Sequence, residues 1–225
     1  QTIHILAIGL GKTAQPGARG SIPEESKKSL EKNLRSLGKI QWVLSQSEFP
    51  NPCRLSSNID PITRAVLRGF LASGAIKDVN NVNVRAAANA QGINVEEKRS
   101  DEPVTFNEWL HVQLFKGSEK VGSAGGTFFG SPNHPRIVRL FSNPLEIPLH
   151  GTFLMFNNQD RPGIVGYVGT LLGKHGVNIA NLSLSRDHAG GHALSVFHVD
   201  SEPPAELLEE LRRDPVFNNV RVVKL

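Results

Sequence analysis

The residues best placed to do chemistry lie between an apolar run and a helix start in the last third of the chain. Phe153 to Phe156 lead into the polar cluster Asn157-Asn158-Gln159-Asp160, and Arg161-Pro162-Gly163 follows. A carboxylate and amides at the end of a strand, beside the unpaired N–H groups of a helix N-terminus, can hold a small anion or zwitterion. The N–H groups around Gly163 and Ile164 suit a carboxylate. Other constellations fall short. Gly9-Leu10-Gly11-Lys12-Thr13 invites a phosphate-loop reading, but that motif needs a glycine where the chain has Leu6. His111, His134, His150, His175, His188, His192 and His198 show no zinc-ligand spacing, so no metal site is expected. Cys53 lacks a recognisable base partner, and Ser183 and Ser185 lack a triad context. No catalytic residue is assigned.

Positioning the polar cluster falls to a strand, turn, helix and strand. Ile164, Val168, Leu171 and Leu172 recur at the spacing of one helical face. Pro162 is expected at the first helical position, and Gly176 at the left-handed position that stops the helix. Ala180, Leu182 and Leu184 then alternate with Asn181, Ser183 and Ser185, the period of a half-buried strand. The whole segment reads strand 152–158, helix 162–175, strand 177–185, turn 187–191, strand 192–199, helix 203–212 and strand 220–225. Leu207, Leu208 and Leu211 face the sheet from the second helix. The order βαββαβ is ferredoxin-like. So small a domain has a limited core, and pairing with a second copy is expected.

Upstream, Ser21-Ile22-Pro23-Glu24 forms a capping box before a helix carrying Leu30, Leu34 and Leu37. A strand is expected over 40–44. A helix follows, buried through Ile62, Val66, Leu67 and Phe70 and ended by Gly74. A short helix spans 84–90 and closes at Gly92; a strand spans 93–98. Residues 106–140 read as antiparallel sheet with a turn at 116–118, and 143–148 as another extended piece. Gly122, Gly125, Gly126 and Gly130 mark bulges or close backbone approach. The fold class is α+β. Three segments result: 1–38, helix and linker; 39–150, a mixed α/β domain; and 151–225, the βαββαβ unit.

The chain has 225 residues, 39% of them hydrophobic, a formal net charge of +4 and one cysteine. No apolar run has the length of a membrane span, so no membrane association is expected. Residues 1–12 lack a basic leader and a cleavage site, so no secretory signal is expected. The mild positive charge comes without a dense basic block interleaved with aromatics. Nucleic acid is therefore not an expected partner, whereas small acids are. The single cysteine fits a cytoplasmic location. The chain begins at Gln1, as expected of a piece of a longer protein.

Together, NNQDRPGIVGYVGTLLGKHGVNIANLSLSR and GGHALSVFHVD resemble the ACT domain of D-3-phosphoglycerate dehydrogenases. DVNNVNVRAAANAQGINVEEKRSD, GSAGGTFFGSPNHPRIVRL and LEIPLHG resemble the allosteric substrate-binding, or intervening, domain of the long forms of that enzyme. The resemblance covers roughly residues 40–225. HILAIGLGKTAQ looks like the helix that re-enters this domain from the catalytic core. The resemblance implies L-serine, or a similar amino acid, bound between paired ACT domains in a homodimer or larger assembly. The matched effector positions are Asn158, Asp160 and Asn178, and Asn158 stands where His or Tyr is more usual. For the upstream domain it implies a site for a small acidic metabolite or phosphate, with Lys116, Lys120, Arg136 and Arg139 as candidates. No Gly-x-Gly-x-x-Gly opens a βαβ unit here, so NAD would belong to catalytic domains outside these residues. Alternatives are a free-standing amino-acid-binding module and the regulatory part of an iron–sulfur serine dehydratase. A complete enzyme is not supported by any acid/base or nucleophile constellation.

Overall fold

The computed structural model describes residues 39–46, 60–73, 78–100, 108–129 and 134–225. They divide into two compact units after Phe141. The expectations for 1–38, for Cys53 and for the helix stop at Gly74 lie outside the described residues, as does Gly130.

The first unit contains β1 (Lys39–Gln46), α1 (Asp60–Ser73), α2 (Val84–Ala90), β2 (Asn94–Ser100), β3 (Glu108–Lys116), β4 (Glu119–Phe128) and β5 (Pro135–Leu140). β1 pairs parallel with β2 and antiparallel with β3. Joining a parallel pair takes a long crossover, which α1 and α2 supply. From β3 the chain meanders antiparallel through β4 to β5. α1 buries Val66, Leu67 and Phe70, as its apolar spacing requires, and also Leu71 and Thr63. Ile62 is only half-buried. The Thr63 hydroxyl donates to Glu97 Oε1 at 2.6 Å, and Arg85 donates to Glu97 and to Asp60, both at 2.8 Å. This network ties α1 and α2 to β2. α2 stops at Gly92, whose φ is +71°. The N–H groups of Gly92 and Ile93 donate to the carbonyls of Asn89 and Ala88 at 2.9 and 3.0 Å, a Schellman ending. The register of β4 against β5 shifts between Gly125 and Gly126, where the glycines predicted a bulge.

The second unit contains β6 (Asn143–Pro148), β7 (Thr152–Gln159), α3 (Ile164–Lys174), β8 (Ile179–Arg186), β9 (His192–Val199), α4 (Ala205–Arg213) and β10 (Phe217–Lys224). Its main sheet has the order β10-β7-β9-β8, antiparallel throughout. From β7 onward this is the expected βαββαβ arrangement. α3 buries Ile164, Val168, Leu171 and Leu172, and α4 buries Leu207, Leu208 and Leu211. These pack on Leu154, Phe156, Phe197 and Val199 of the central strands. Phe156 lies 5.7 Å from Phe197 and meets Phe217 edge-on at 5.1 Å. Each fully buried Leu or Phe contributes about 1.5–3 kcal/mol. β7 is apolar without alternation from Phe153 to Phe156 because both of its faces are covered.

Two local expectations change. α3 starts at Ile164, and Pro162 lies before the cap rather than in the first turn. Gly163 is the cap, with φ +94°, a left-handed turn that redirects the chain just before the helix. β8 does not simply hide its apolar half: Leu184 is 41% exposed while Ser185 is 5% exposed. β8 is an edge strand, and a register shift between Ile179 and Asn181 disturbs its alternation.

Candidate functional site

Asp160 is the first residue after β7. Its N–H donates to the Gly191 carbonyl at 2.8 Å. Its Oδ2 accepts from Arg186 Nη1 at 2.8 Å and from the Gly190 N–H at 3.2 Å. The Arg186 guanidinium, and then the Gly190 amide, hold this carboxyl below the usual carboxylate range. Asp160 is thus an anion at neutral pH, and it pins the 187–191 turn to the end of β7. It does not cap α3, whose start has no side-chain cap. The turn is shaped by Asp187, whose Oδ1 accepts the N–H groups of His188 and His192 at 2.7 and 2.8 Å. The space where a Cβ would sit on Gly163 is open. The amides around Gly163 and Ile164 therefore begin a helix with an uncrowded approach.

Asn158 lies in the interior of its unit. Its side chain is 3% exposed, on the β7 face shared with Leu154 and Phe156. Its Oδ1 accepts from the buried Ser195 hydroxyl at 3.0 Å, and its Nδ2 donates to the Gln159 carbonyl at 2.9 Å. Both ends of its amide meet groups of the chain itself. A buried amide must be hydrogen-bonded, and Ser195, two residues along β9 from the ladder partner Ala193, meets that need.

Asn178 and Asp160 are not brought together within one chain. Asn178 is exposed, donates to Asp200 Oδ2 at 2.7 Å, and accepts the Asp200 N–H at 3.1 Å. It sits at the Val199 end of β9, whereas Asp160 sits at the His192 end. From Gly191 to Asp200, at about 3.3 Å per residue, the ends are roughly 25–30 Å apart. The same strand order explains both placements: β8 enters the sheet at the end where β7 also begins.

The sequence missed Arg186, Asp187, Gly190 and Ser195. The Arg-Asp and Gly-Gly pairs flanking the β8–β9 turn were the available signal. An open cleft of about 540 Å³ lies across that turn, lined by residues that include Gln159, His188, His192, Val216 and Asn218.

In the first unit, His111 and Arg139 lie in line across the sheet, and Lys120 lies opposite Phe115 further along β3. Burial, then Arg139, then Lys120 push the His111 pKa down. Register places His111 opposite Gly125 and Gly125 opposite Arg139, so a residue without a side chain separates the two. Arg136 Nη1 donates to the Pro135 carbonyl at 3.2 Å. Lys116 is exposed at the end of β3, beside the β3–β4 turn. Among the described residues, no group of His, Cys, Asp or Glu forms a metal site, and no helix is long and apolar enough to cross a membrane.

Residues 152–216 match the ACT domain family, and residues 54–141 match the D-3-phosphoglycerate dehydrogenase intervening domain. The chain is 30% identical over 160 residues to D-3-phosphoglycerate dehydrogenase of Archaeoglobus fulgidus, covering 70% of this chain and 30% of that protein. It is 30% identical over 169 residues to the enzyme of the same name from Synechocystis, covering 75% and 30%. For the Bacillus subtilis protein of that name the identity is 28% over 167 residues, covering 73% and 31%. The matches span about a third of the length of these relatives.

Proposed function

We propose that this chain, which carries the intervening and ACT domains of the D-3-phosphoglycerate dehydrogenase family, is the regulatory part of such an enzyme. It senses a free α-amino acid, L-serine first, at an interface between two ACT domains. The observation that carries this reading is the ionised Asp160 beside the uncapped start of α3. A carboxylate takes the ammonium, and helix amides take the carboxylate. The third polar group comes from a second copy. β8 is an edge strand with Leu184 exposed. If two copies of β8 pair antiparallel about their midpoint, residue 179 of one faces residue 186 of the other. Asn178 of one copy then lies near the Asp160 end of its mate, which accounts for their separation within one chain.

Serine regulates only if it binds one arrangement of the parent assembly better than another. The hydride chemistry and its NAD belong to catalytic domains outside these residues. Among the described residues β1 and β2 are the parallel pair, and the connection from β1 to α1 contains no glycine for a pyrophosphate turn. We place the parent enzyme in the cytoplasm, with serine biosynthesis. The upstream Arg139, aligned with His111 across Gly125, together with Lys120 on the neighbouring strand, suits a small acidic metabolite.

Calorimetric titration with L-serine, run alongside sedimentation, tests the reading. Saturable binding at two serines per paired interface, as two-fold symmetry requires, lost when the dimer dissociates, supports it. No heat from a dimeric sample refutes it.

A further inference from the structure

We infer that Arg186, together with the amides at the start of α3, grips the carboxylate of the bound amino acid and so sets the specificity of the site for zwitterions. This rests on the amino-acid reading above. Arg186 is the last residue of β8, and Asp160 is the first after β7; the two meet at 2.8 Å through Nη1 and Oδ2. Both the Arg186 and the Gly190 donors fall on that same oxygen. Asp160 Oδ1 and Arg186 Nε and Nη2 make no hydrogen bond among the described residues. Each partner of the ion pair therefore keeps an unused edge.

An α-amino acid carries an ammonium and a carboxylate on one carbon. An anion and a cation held side by side match both charges at once, which helix amides alone do not. The guanidinium fork meets a carboxylate through two parallel N–H bonds, a geometry that lysine lacks. Exposure favours the same assignment. The Asp160 side chain is 19% exposed and held in place, while Arg186 is 54% exposed and reachable. The existing pair is a surface one of small net worth, so it reorganises at little cost when a ligand inserts. Arg161 is nearer in sequence, but the guanidinium that meets the Asp160 carboxylate is that of Arg186.

The experiment uses the full chain as a dimer at pH 6. Wild type, Arg186→Gln and Arg186→Lys are each titrated with L-serine and with L-serinamide, which keeps the ammonium and hydroxyl but has no carboxylate. Wild type is expected to prefer serine to serinamide by at least about tenfold. Arg186→Gln should lose about 10–100-fold for serine and under about threefold for serinamide, with Arg186→Lys in between. Each variant is first shown to be folded by its circular dichroism. If Arg186→Gln weakens both ligands equally, Arg186 only steadies Asp160 and the inference falls. If Arg186→Gln binds serine normally, it also falls. If serine fails to bind wild type, the amino-acid reading itself fails, and the inference with it.

Discussion

Asn158→Ala separates an internal role from ligand contact. Ser195 is fully buried, and its hydroxyl donates to Asn158 Oδ1 at 3.0 Å. Truncation leaves that hydroxyl without its acceptor, which costs about 1–3 kcal/mol, and removes the bond to the Gln159 carbonyl, worth about 0.5–1.5 kcal/mol. The expected loss is roughly 2–4 kcal/mol. Ser195→Ala should cost less, about 1–2 kcal/mol, because it orphans one acceptor lone pair. The double variant should cost less than the sum by about 0.5–2 kcal/mol, since the two residues share one bond. Asn158→Leu combined with Ser195→Ala should recover much of the loss by replacing both partners with apolar groups. Urea unfolding followed by circular dichroism measures each value. For a unit of this size, 1 kcal/mol moves the thermal midpoint by about 4–8 °C. If Asn158→Ala left stability within about 0.5 kcal/mol of wild type yet abolished serine binding, the interior role would be refuted. Asn158 would then be the ligand contact that its position in the ACT motif implies.

Other outcomes follow from the same geometry. Asp160 has a folded pKa below its unfolded value, so its contribution is present above the ordinary carboxylate range and is lost as pH falls through the folded value. Asp160→Asn should therefore flatten the acid limb of stability below about pH 4 only slightly, since the pair is exposed, as read from urea midpoints against pH; a steeper limb in the variant would count against the Arg186 clamp. His198 stacks on Phe153 at 4.8 Å, and burial, then His150, lower its pKa from 6.5. Its neutral form is favoured on folding, so its contribution is complete above the unfolded value and lost as pH falls through the folded one. An NMR titration should give a midpoint below 6.5, and one above it would overturn the assignment. Leu184→Lys should dissociate the dimer in sedimentation while changing unfolding stability by under about 0.5 kcal/mol, because the side chain is already 41% exposed. A dimer that persists would place the interface elsewhere. Gly151→Ala would put a Cβ 2.1 Å from His198 Nε2 at a backbone φ of +100°. It should lower stability by about 1–3 kcal/mol in urea unfolding, and a neutral result would show that the ring moves aside freely.

The sequence by itself determined the elements and their kind. Ile164, Val168, Leu171 and Leu172 mark the buried side of α3, and Gly92 and Gly176 mark helix ends, because periodicity and left-handed glycines act within one turn of chain. The βαββαβ order, and with it the sheet of the second unit, was legible for the same reason. The partners of the polar residues were not. Asn158 and Asp160 are two residues apart and read as one cluster, yet one turns into the core and the other to the rim. Whether Asn158 meets Ser195, Asp160 meets Arg186, or Asn178 meets Asp200 depends on strand register between segments 22 to 37 residues apart. Side chains alternate faces along a strand, and a bulge such as that between Ile179 and Asn181 inverts the alternation beyond it. Only the assembled sheet decided those pairings, and with them the finding that Asp160 and Asn178 stand at opposite ends of one domain.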